Sequence, residues 1–408
     1  MRIPAPEKDC FKKLPLGNSS FSAIRKAGQI YADKTAMIAD LADNEDAPVF
    51  LMRPRGFGKS LLVSALESLF SKGLADFKGL EIATGENRWR DTAYRVVRFD
   101  LSAVANSSPA SFKTYLNNKM ISEIYGNNHY LITSGQNETG QPGVILSNIC
   151  DDQAIPDKSI VFLVDDYDAP ITGHLGKSQE LSEISDILYS FFAGIKFAER
   201  ILRFVFIAGI TRTGREDLFS SRCNAYDISA DDDFGMLLGI TEDELRRYFD
   251  PWIKNAAAVL GMSIPDVYAK MKSVYGGFQF SIGNEETVYN PRSVISFLSN
   301  PENGFRNYWR SVSGNTPDVL LKYLQKADNR ESLIRLSDSV KDEKNRDNIV
   351  AFDEIMAKAE PGQIPMKILL LETGYFTLKS INFPYGRIAV PNEEVSESLS
   401  RLSLKAQS

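Results

Sequence analysis

Among the stretches without a charged or polar side chain, three are rich in β-branched and aromatic residues: 49–52 (Val-Phe-Leu-Met), 160–164 (Ile-Val-Phe-Leu-Val) and 204–210 (Phe-Val-Phe-Ile-Ala-Gly-Ile). Unbroken apolar runs of this length are what central strands of a parallel sheet require, because helices cover both of their faces. A fourth stretch, 94–101 (Tyr-Arg-Val-Val-Arg-Phe-Asp-Leu), alternates and predicts another strand. Between the strands the period changes. Leu61, Leu62, Ala65, Leu66, Leu69 and Phe70 recur at helical spacing, as do Leu181, Ile184, Ile187, Leu188, Phe191, Phe192 and Ile195, and residues 110–125 also read as a helix. Strands alternating with helices predict an α/β core with a parallel sheet flanked by helices. Ligands of such sheets bind at the carboxyl ends of the strands.

Elsewhere the pattern is less regular. Asp33, two residues before Thr35 and followed by Met37, Ile38 and Leu41, predicts a short capped helix in an N-terminal arm. Residues 126–156, rich in Asn, Gly, Gln, Thr and Ser, read as a long surface connection. Beyond residue 230 the texture is mostly helical: Thr241 followed by Glu244 is a capping box leading into Leu245, Tyr248 and Phe249. Residues 275–280 and 288–293 predict a short hairpin before a helix through Val294, Phe297 and Leu298, and the charged residues 341–347 predict an exposed helix or linker. The chain then reads helix (364–371), strand (375–381), a Pro-Tyr-Gly turn, strand (387–390) and a helix capped by Asn392. That order suggests a winged-helix-like module, and its few basic residues favour a packing or autoinhibitory role over DNA binding. The expected divisions are an arm (1–46), a core (47–230), a helical lid region (231–350) and the winged-helix-like module (351–408).

With 408 residues, 43% of them hydrophobic, the chain can bury one large core or two to three smaller ones. No apolar run approaches the ~20 residues that span a bilayer, and residues 1–9 lack a signal-peptide stretch, so the expected location is cytoplasmic with no membrane partner. A net charge of −6 gives no overall pull toward nucleic acid, whose involvement stays open; Arg212, Arg215 and Arg222 form the best basic cluster. Cys10, Cys150 and Cys223 are isolated, against a disulfide framework or a cysteine zinc site. His129 and His174, the two histidines, are expected on the surface or in loops.

The chemistry concentrates after the apolar runs. Arg53-Pro54-Arg55-Gly56-Phe57-Gly58-Lys59-Ser60, then Leu61, reads as a strand, a phosphate loop and a helix. Glycines let backbone N–H groups approach phosphates, and the helix presents its positive end. Lys59 would reach the outer phosphates and Ser60 would ligate magnesium; Arg53 stands where a glycine is usual. At the end of the second run, Asp165 is placed to hold magnesium through water, and Asp166 to orient or deprotonate the attacking water. Glutamate is commoner in the second role. The shorter aspartate predicts slow turnover, since misplacement of about 1 Å can cost ~100-fold in rate. Asp168 either assists or caps the turn before Pro170, and Thr211, at the tip of the third run, either senses the terminal phosphate or merely ends a strand. Arg212, Arg215 or Arg222 would stabilise charge on the transferring phosphoryl group, from the same subunit or a neighbour. ATP and Mg2+ are the expected ligands.

Six segments together resemble a known family: 14–17 (Leu-Pro-Leu-Gly), 31–35 (Tyr-Ala-Asp-Lys-Thr), 53–60, 163–170 (Leu-Val-Asp-Asp-Tyr-Asp-Ala-Pro), 289–291 (Tyr-Asn-Pro) and 373–377 (Thr-Gly-Tyr-Phe-Thr). The chain resembles, over nearly its whole length, the bacterial AAA-ATPase-like family of phosphate-loop NTPases, whose members often carry a C-terminal nuclease domain of the PD-(D/E)XK type. The resemblance implies that arginine at position 53 is a family trait and that Asp166 replaces the glutamate of an Asp-Glu-Tyr-Asp motif. The chain stops soon after residues 391–395, near where the nuclease would begin, and has no strand-borne Asp followed by Glu-x-Lys, so an ATPase without a nuclease is expected. The resemblance also implies a role linked to mobile elements or phage defence, with a separately encoded effector. Two function classes follow. One is a magnesium-dependent ATPase that couples nucleotide state to its helical C-terminal part; the alternative is a nucleotide-binding switch or scaffold that hydrolyses little and works through a partner. A nuclease using Asp165, Asp166 and Asp168 conflicts with their position downstream of a phosphate loop. A second copy of the chain and an effector protein are the candidate partners.

Overall fold

A computed structural model of the chain describes residues 12–44, 47–84, 89, 93–126, 140–213, 223–309, 318–357 and 359–407. The three apolar runs and the alternating stretch supply β1 (Val49–Met52), β2 (Arg95–Asp100), β3 (Ile160–Asp165) and β4 (Leu202–Gly209) of a five-stranded, all-parallel sheet, which the two-residue β5 (Tyr226–Asp227), unsignalled by any pattern, completes in the order β2-β3-β4-β1-β5. Successive side chains divide between two cores. Val49, Leu51, Val161, Leu163, Phe204 and Phe206 face one, while Phe50, Met52, Ile160, Phe162, Val164 and Val205 face the other. Hence the central strands are apolar almost throughout, with Arg203 near the start of β4 and Asp165 at the end of β3 the charged exceptions. Because β4 lies between β1 and β3, the phosphate loop and the acidic strand end sit on either side of its tip.

The short arm helix α1 (Thr35–Ala42) starts where Asp33 Oδ1 accepts from the Thr35 amide at 3.0 Å and hydroxyl at 2.6 Å. The phosphate-loop helix α2 (Lys59–Lys72) covers the first core through Leu62, Val63, Leu66 and Leu69. On the opposite face lie α3 (Pro109–Tyr125), α4 (Pro142–Asp151) and α5 (Ser178–Phe197).

The helix α4 corrects the expectation of a surface connection over 126–156, of which 127–139 lie outside the described residues. Its apolar side is only Ile145, Leu146, Ile149 and Cys150, too short to announce a helix amid polar neighbours. Two glycines let it dock: a Cβ on Gly143 would stand 2.2 Å from the Ser190 carbonyl oxygen, and one on Gly194 2.7 Å from Gly143 Cα. His174 is likewise corrected. It is fully buried, with Nδ1 2.8 Å from the Pro170 carbonyl and Nε2 3.4 Å from Glu180. Cys150 and Cys223 are buried thiols, and Cys10 and His129 lie outside the described residues.

After the sheet, α6 (Glu242–Leu260) starts on the expected capping box: Thr241 Oγ1 accepts from the Glu244 amide and Glu244 accepts from the Thr241 amide. With α7 (Ile264–Tyr275) and α8 (Pro291–Ser299) it builds a third core around Leu245, Phe249, Ile253, Met271 and Phe297. The expected hairpin is a single antiparallel bridge, Phe278 to Val288. Lys34 ties the N-terminal segment to α6 and the residues ahead of it, its Nζ 2.6 Å from both Glu244 and the Met236 carbonyl.

The C-terminal part contains a three-stranded antiparallel sheet, β6 (Ile349–Ala351), β8 (Tyr385–Ala389) and β7 (Thr377–Asn382) in that spatial order. Around it lie α9 (Ala327–Ser339), α10 (Phe352–Met356), α11 (Met366–Glu372) and α12 (Glu393–Gln407). A division after residue 350 would cut β6, and α9 packs on α11 and α12, so the winged-helix-like arrangement draws on residues ahead of 351. A three-residue strand behind a charged segment carries too little periodicity to be read. The helix α11 buries Ile368, Leu369 and Leu370 in the same core as α2 and Phe206. At its end, buried Glu372 accepts from the Arg212 amide at 3.3 Å and lies 3.7 Å from the Arg212 guanidinium. Burial pushes the Glu372 carboxyl up to about 8 against the opposing pull of Arg212.

Gly143→Ala is expected to lose about 1–3 kcal/mol in denaturant unfolding, since backbone stands where the methyl would go; an unchanged midpoint would show that the helices do not approach this closely. For Glu372, the folded state holds its proton more tightly than the unfolded chain. The stability linked to that proton is therefore complete below about 4.5 and is lost as pH rises through about 8. Glu372→Gln should match wild type in melting temperature at pH 5 and gain on it progressively toward pH 8.5; a gap that closes with rising pH contradicts this.

Candidate nucleotide-binding site

Beyond Met52 the backbone leaves β1 and turns, with the Arg53 amide donating to the Gly209 carbonyl at 3.2 Å. The Arg53 side chain is consumed underneath the loop. Nη1 donates to the carbonyls of Met52 (2.8 Å) and Ser229 (2.7 Å), Nη2 to that of Phe234 (3.2 Å), and the guanidinium lies 4.3 Å from the Phe280 ring centroid. Burial lowers its pKa to about 9, with Asp227 opposing. Arginine at this position therefore anchors the loop from below. Gly56 (φ 86°) and Gly58 (φ 102°) are left-handed, a region that costs a side-chain-bearing residue about 1–2 kcal/mol. Phe57 is pinned edge-on between Phe278 (4.8 Å) and Phe280 (5.0 Å).

Gly58 then caps α2 with no side-chain capping bond, and the first amides of a helix have no intrahelical partner. Lys59 Nζ donates to the Arg53 carbonyl at 2.9 Å and lies 3.4 Å from that of Pro54, bridging the loop. Burial lowers the pKa of this ammonium, and Asp166, Asp165 and Asp168 pull it back up. Arg55, Ser60 and Leu61 are partly buried beside it.

At the end of β3, Asp165 is 2% exposed. The Ser60 side chain acts to lower its pKa, Oδ2 is 3.5 Å from Arg98 Nη2, and Oδ1 has no hydrogen-bond partner. Burial, and then Asp166, raises its pKa. A buried carboxylate oxygen without a partner, next to a serine hydroxyl, fits an oxygen-ligated divalent cation such as Mg2+. Asp166 occupies a left-handed conformation (φ 51°) that costs roughly 1–3 kcal/mol in a non-glycine residue and turns it out of the strand path.

Asp168 stands at the N-cap of the helix over 169–174, but its side chain makes no capping bond there. Its Oδ2 accepts from the Thr211 amide (2.9 Å) and hydroxyl (2.8 Å), and Oδ1 accepts from the Ile210 amide (3.2 Å). Burial raises its pKa and these donors lower it. Tyr167 adds a second tie, its hydroxyl donating to the carbonyls of Thr211 (2.6 Å) and Thr213 (3.1 Å). Gly209 makes room, since a Cβ there would stand 2.4 Å from the Tyr167 ring.

Thr211 is thus fully buried with its hydroxyl on Asp168. Arg212 is not brought to the phosphate loop as a charge donor: 4% exposed, it pairs with Asp227 at 3.0 Å and with Glu372. Its position at a strand tip hid this, because both partners come from distant segments. Arg215 and Arg222 lie outside the described residues. Among the described residues no three His, Cys, Asp or Glu side chains gather as a metal cluster, and Asp168's bonds to β4 remove it from the three-aspartate nuclease arrangement.

Next to Gly58 and Leu61 lies an apolar cavity also lined by Ile30, Tyr31 and Lys34 of the N-terminal segment and by Leu238 and Ile240 ahead of α6. No single segment supplies it, so the sequence did not signal it.

A protein of Azotobacter chroococcum mcd 1, described as an uncharacterized protein in the vnfD 5′ region, is 27% identical over 402 residues, covering 96% of this chain and 70% of its own length. Among solved structures, the Aeropyrum pernix ORC2 protein (ADPNP-ADP complexes) aligns over 98% of this chain and 97% of its own at 10% identity, with a TM-score of 0.32 that is too low to bear on fold or function. Residues 15–219, half of the chain and the whole span from the arm through β4, match the family described as predicted AAA-ATPase, AAA-ATPase-like. With a phosphate loop, an acidic strand end and a β4 tip joined in one parallel sheet, the chain belongs to this predicted AAA-ATPase family of nucleotide-binding proteins.

Proposed function

We propose that the protein binds ATP with Mg2+ and hydrolyses it slowly, coupling nucleotide state to its lid and C-terminal part. The observation that carries the reading is Asp165: a buried carboxylate with one oxygen on Arg98, the other without a partner, and Ser60 of the phosphate loop beside it. The amides opening α2 and the Lys59 ammonium would hold the phosphates. Ser60 and Asp165 would hold the cation, which when bound neutralises charge on the phosphoryl oxygens. Asp166, turned out by its left-handed backbone, orients or deprotonates the attacking water. Thr211 keeps β4's tip in place through Asp168 rather than by touching phosphate. The apolar cavity beside Gly58 suits the base.

Coupling is built into the loop. Pro54 packs on Gly374 so closely that a Cβ there would stand 2.8 Å from Pro54 Cγ, and Phe57 sits between Phe278 and Phe280. Any displacement of the loop by nucleotide therefore presses on both the lid and the winged-helix-like part. The second reading, a switch that hydrolyses little, is favoured by the short Asp166 carboxylate where glutamate is commoner. A role in phage or mobile-element defence through an effector rests on the family resemblance.

Phosphate release from ATP and Mg2+ should fall at least ~100-fold in Lys59→Ala, which removes a charge stabilising the transferring group. Asp166→Asn should fall about as far by losing the base while still binding nucleotide. Wild-type turnover equal to that of Lys59→Ala, with ATP bound, would replace the ATPase reading by the switch.

A further inference from the structure

Arg98 plays no part in the chemistry above, yet it touches the site. It lies on β2, the edge strand farthest from β1, and two strands separate it from the phosphate loop. Its neighbours Val97 and Phe99 face the core under α3 and α5, so Arg98 projects to the other side, toward α2. There its guanidinium makes two contacts. Nη1 is 3.0 Å from Glu67 Oε2 and Nη2 is 3.5 Å from Asp165 Oδ2.

Glu67 is on α2, seven residues and about two turns after Ser60, hence on the same face of that helix. One planar side chain with a rigid fork of donors thus joins the helix that carries Ser60 to the strand that carries Asp165. A lysine could satisfy only one of the two carboxylates well. The contact also selects between Asp165's oxygens: Oδ2 is engaged, and the buried Oδ1 is left without a partner.

We propose that Arg98, braced by Glu67, is a positioning residue for the cation site: it holds Asp165 by one oxygen so that the other, with Ser60, is presented to Mg2+. This rests on the ATP and Mg2+ reading above. Arg98 touches neither the nucleotide nor the cation. Its loss should therefore weaken metal binding and leave metal-free nucleotide binding alone.

The test measures binding of a fluorescent ATP analogue to the full chain, first in EDTA and then during a Mg2+ titration at fixed nucleotide. Arg98→Gln should raise the Mg2+ concentration at half-saturation about tenfold, the lower end of the effect of removing a group that orients a metal ligand, with the EDTA affinity within twofold of wild type. Arg98→Lys should fall between. Glu67→Gln, at a half-exposed position that does not threaten folding, should shift the titration about twofold to threefold in the same direction and so carries the test if Arg98→Gln is unstable. An unchanged Mg2+ midpoint in these variants overturns the proposal. So does a parallel loss of affinity in EDTA, which would make Arg98 a phosphate contact. Wild-type protein that binds no nucleotide in either condition overturns the function reading itself, whereas wild type that binds nucleotide and is indifferent to Mg2+ overturns the positioning role together with the Mg2+ part of that reading and leaves nucleotide binding standing.

Discussion

Lys59 carries a positive charge to a place that water does not reach, and the surrounding loop is shaped by the need to hold it there. Its desolvation is offset by two carbonyls, those of Arg53 and Pro54, and by three aspartates at the ends of β3. The carbonyls face inward only because the loop doubles back through left-handed glycines at 56 and 58. The aspartates lie within range only because β4 separates β3 from β1 by a single strand. An anion arriving at the loop would meet an ammonium already desolvated and already oriented, which is where pre-paid burial becomes binding.

Holding the acids in place is the task of the β3–β4 junction. Asp168 gives its lone pairs to Ile210 and Thr211, and Tyr167 bonds the carbonyls that follow. These two side chains lock one strand end against the other, next to Asp165 and Asp166. A buried carboxylate that accepts several hydrogen bonds serves as a joint, and removing its donors would leave its charge uncompensated.

The loop's underside is as constrained as its open side. Arg53, Pro54 and Phe57 are gripped by Ser229, Phe280, Gly374 and Phe278, and Arg212 carries the contact from β4 to Glu372. The core that includes α2 is continuous with that of the winged-helix-like part, through Leu66, Phe206, Leu369 and Phe376. The two regions therefore share one packed interior, and close-packed interiors transmit displacement.

The sequence by itself determined β1 to β4 of the parallel sheet, the phosphate loop, the acidic strand end, the capping box at Thr241 and the helix after Asn392, but not the two-residue β5. Each is signalled within about ten consecutive residues, by doubly buried runs, glycine-permitted backbone or a cap. It did not reveal α4, β6 or the burial of His174, whose apolar signals are short and whose stability comes from neighbours such as α5 and β8. It named Thr211 and Arg212 by their place at a strand tip, but only the tertiary structure decided that one hydroxyl turns to Asp168 and that the guanidinium turns to Asp227 and Glu372. Arg98, Glu67 and the cavity beside Gly58 belong to the same class. A backbone conformation is chosen by local sterics and can be read from neighbours in the chain. A buried side chain's partner is chosen by which distant segment supplies the matching charge or shape, and that choice exists only once the chain has folded.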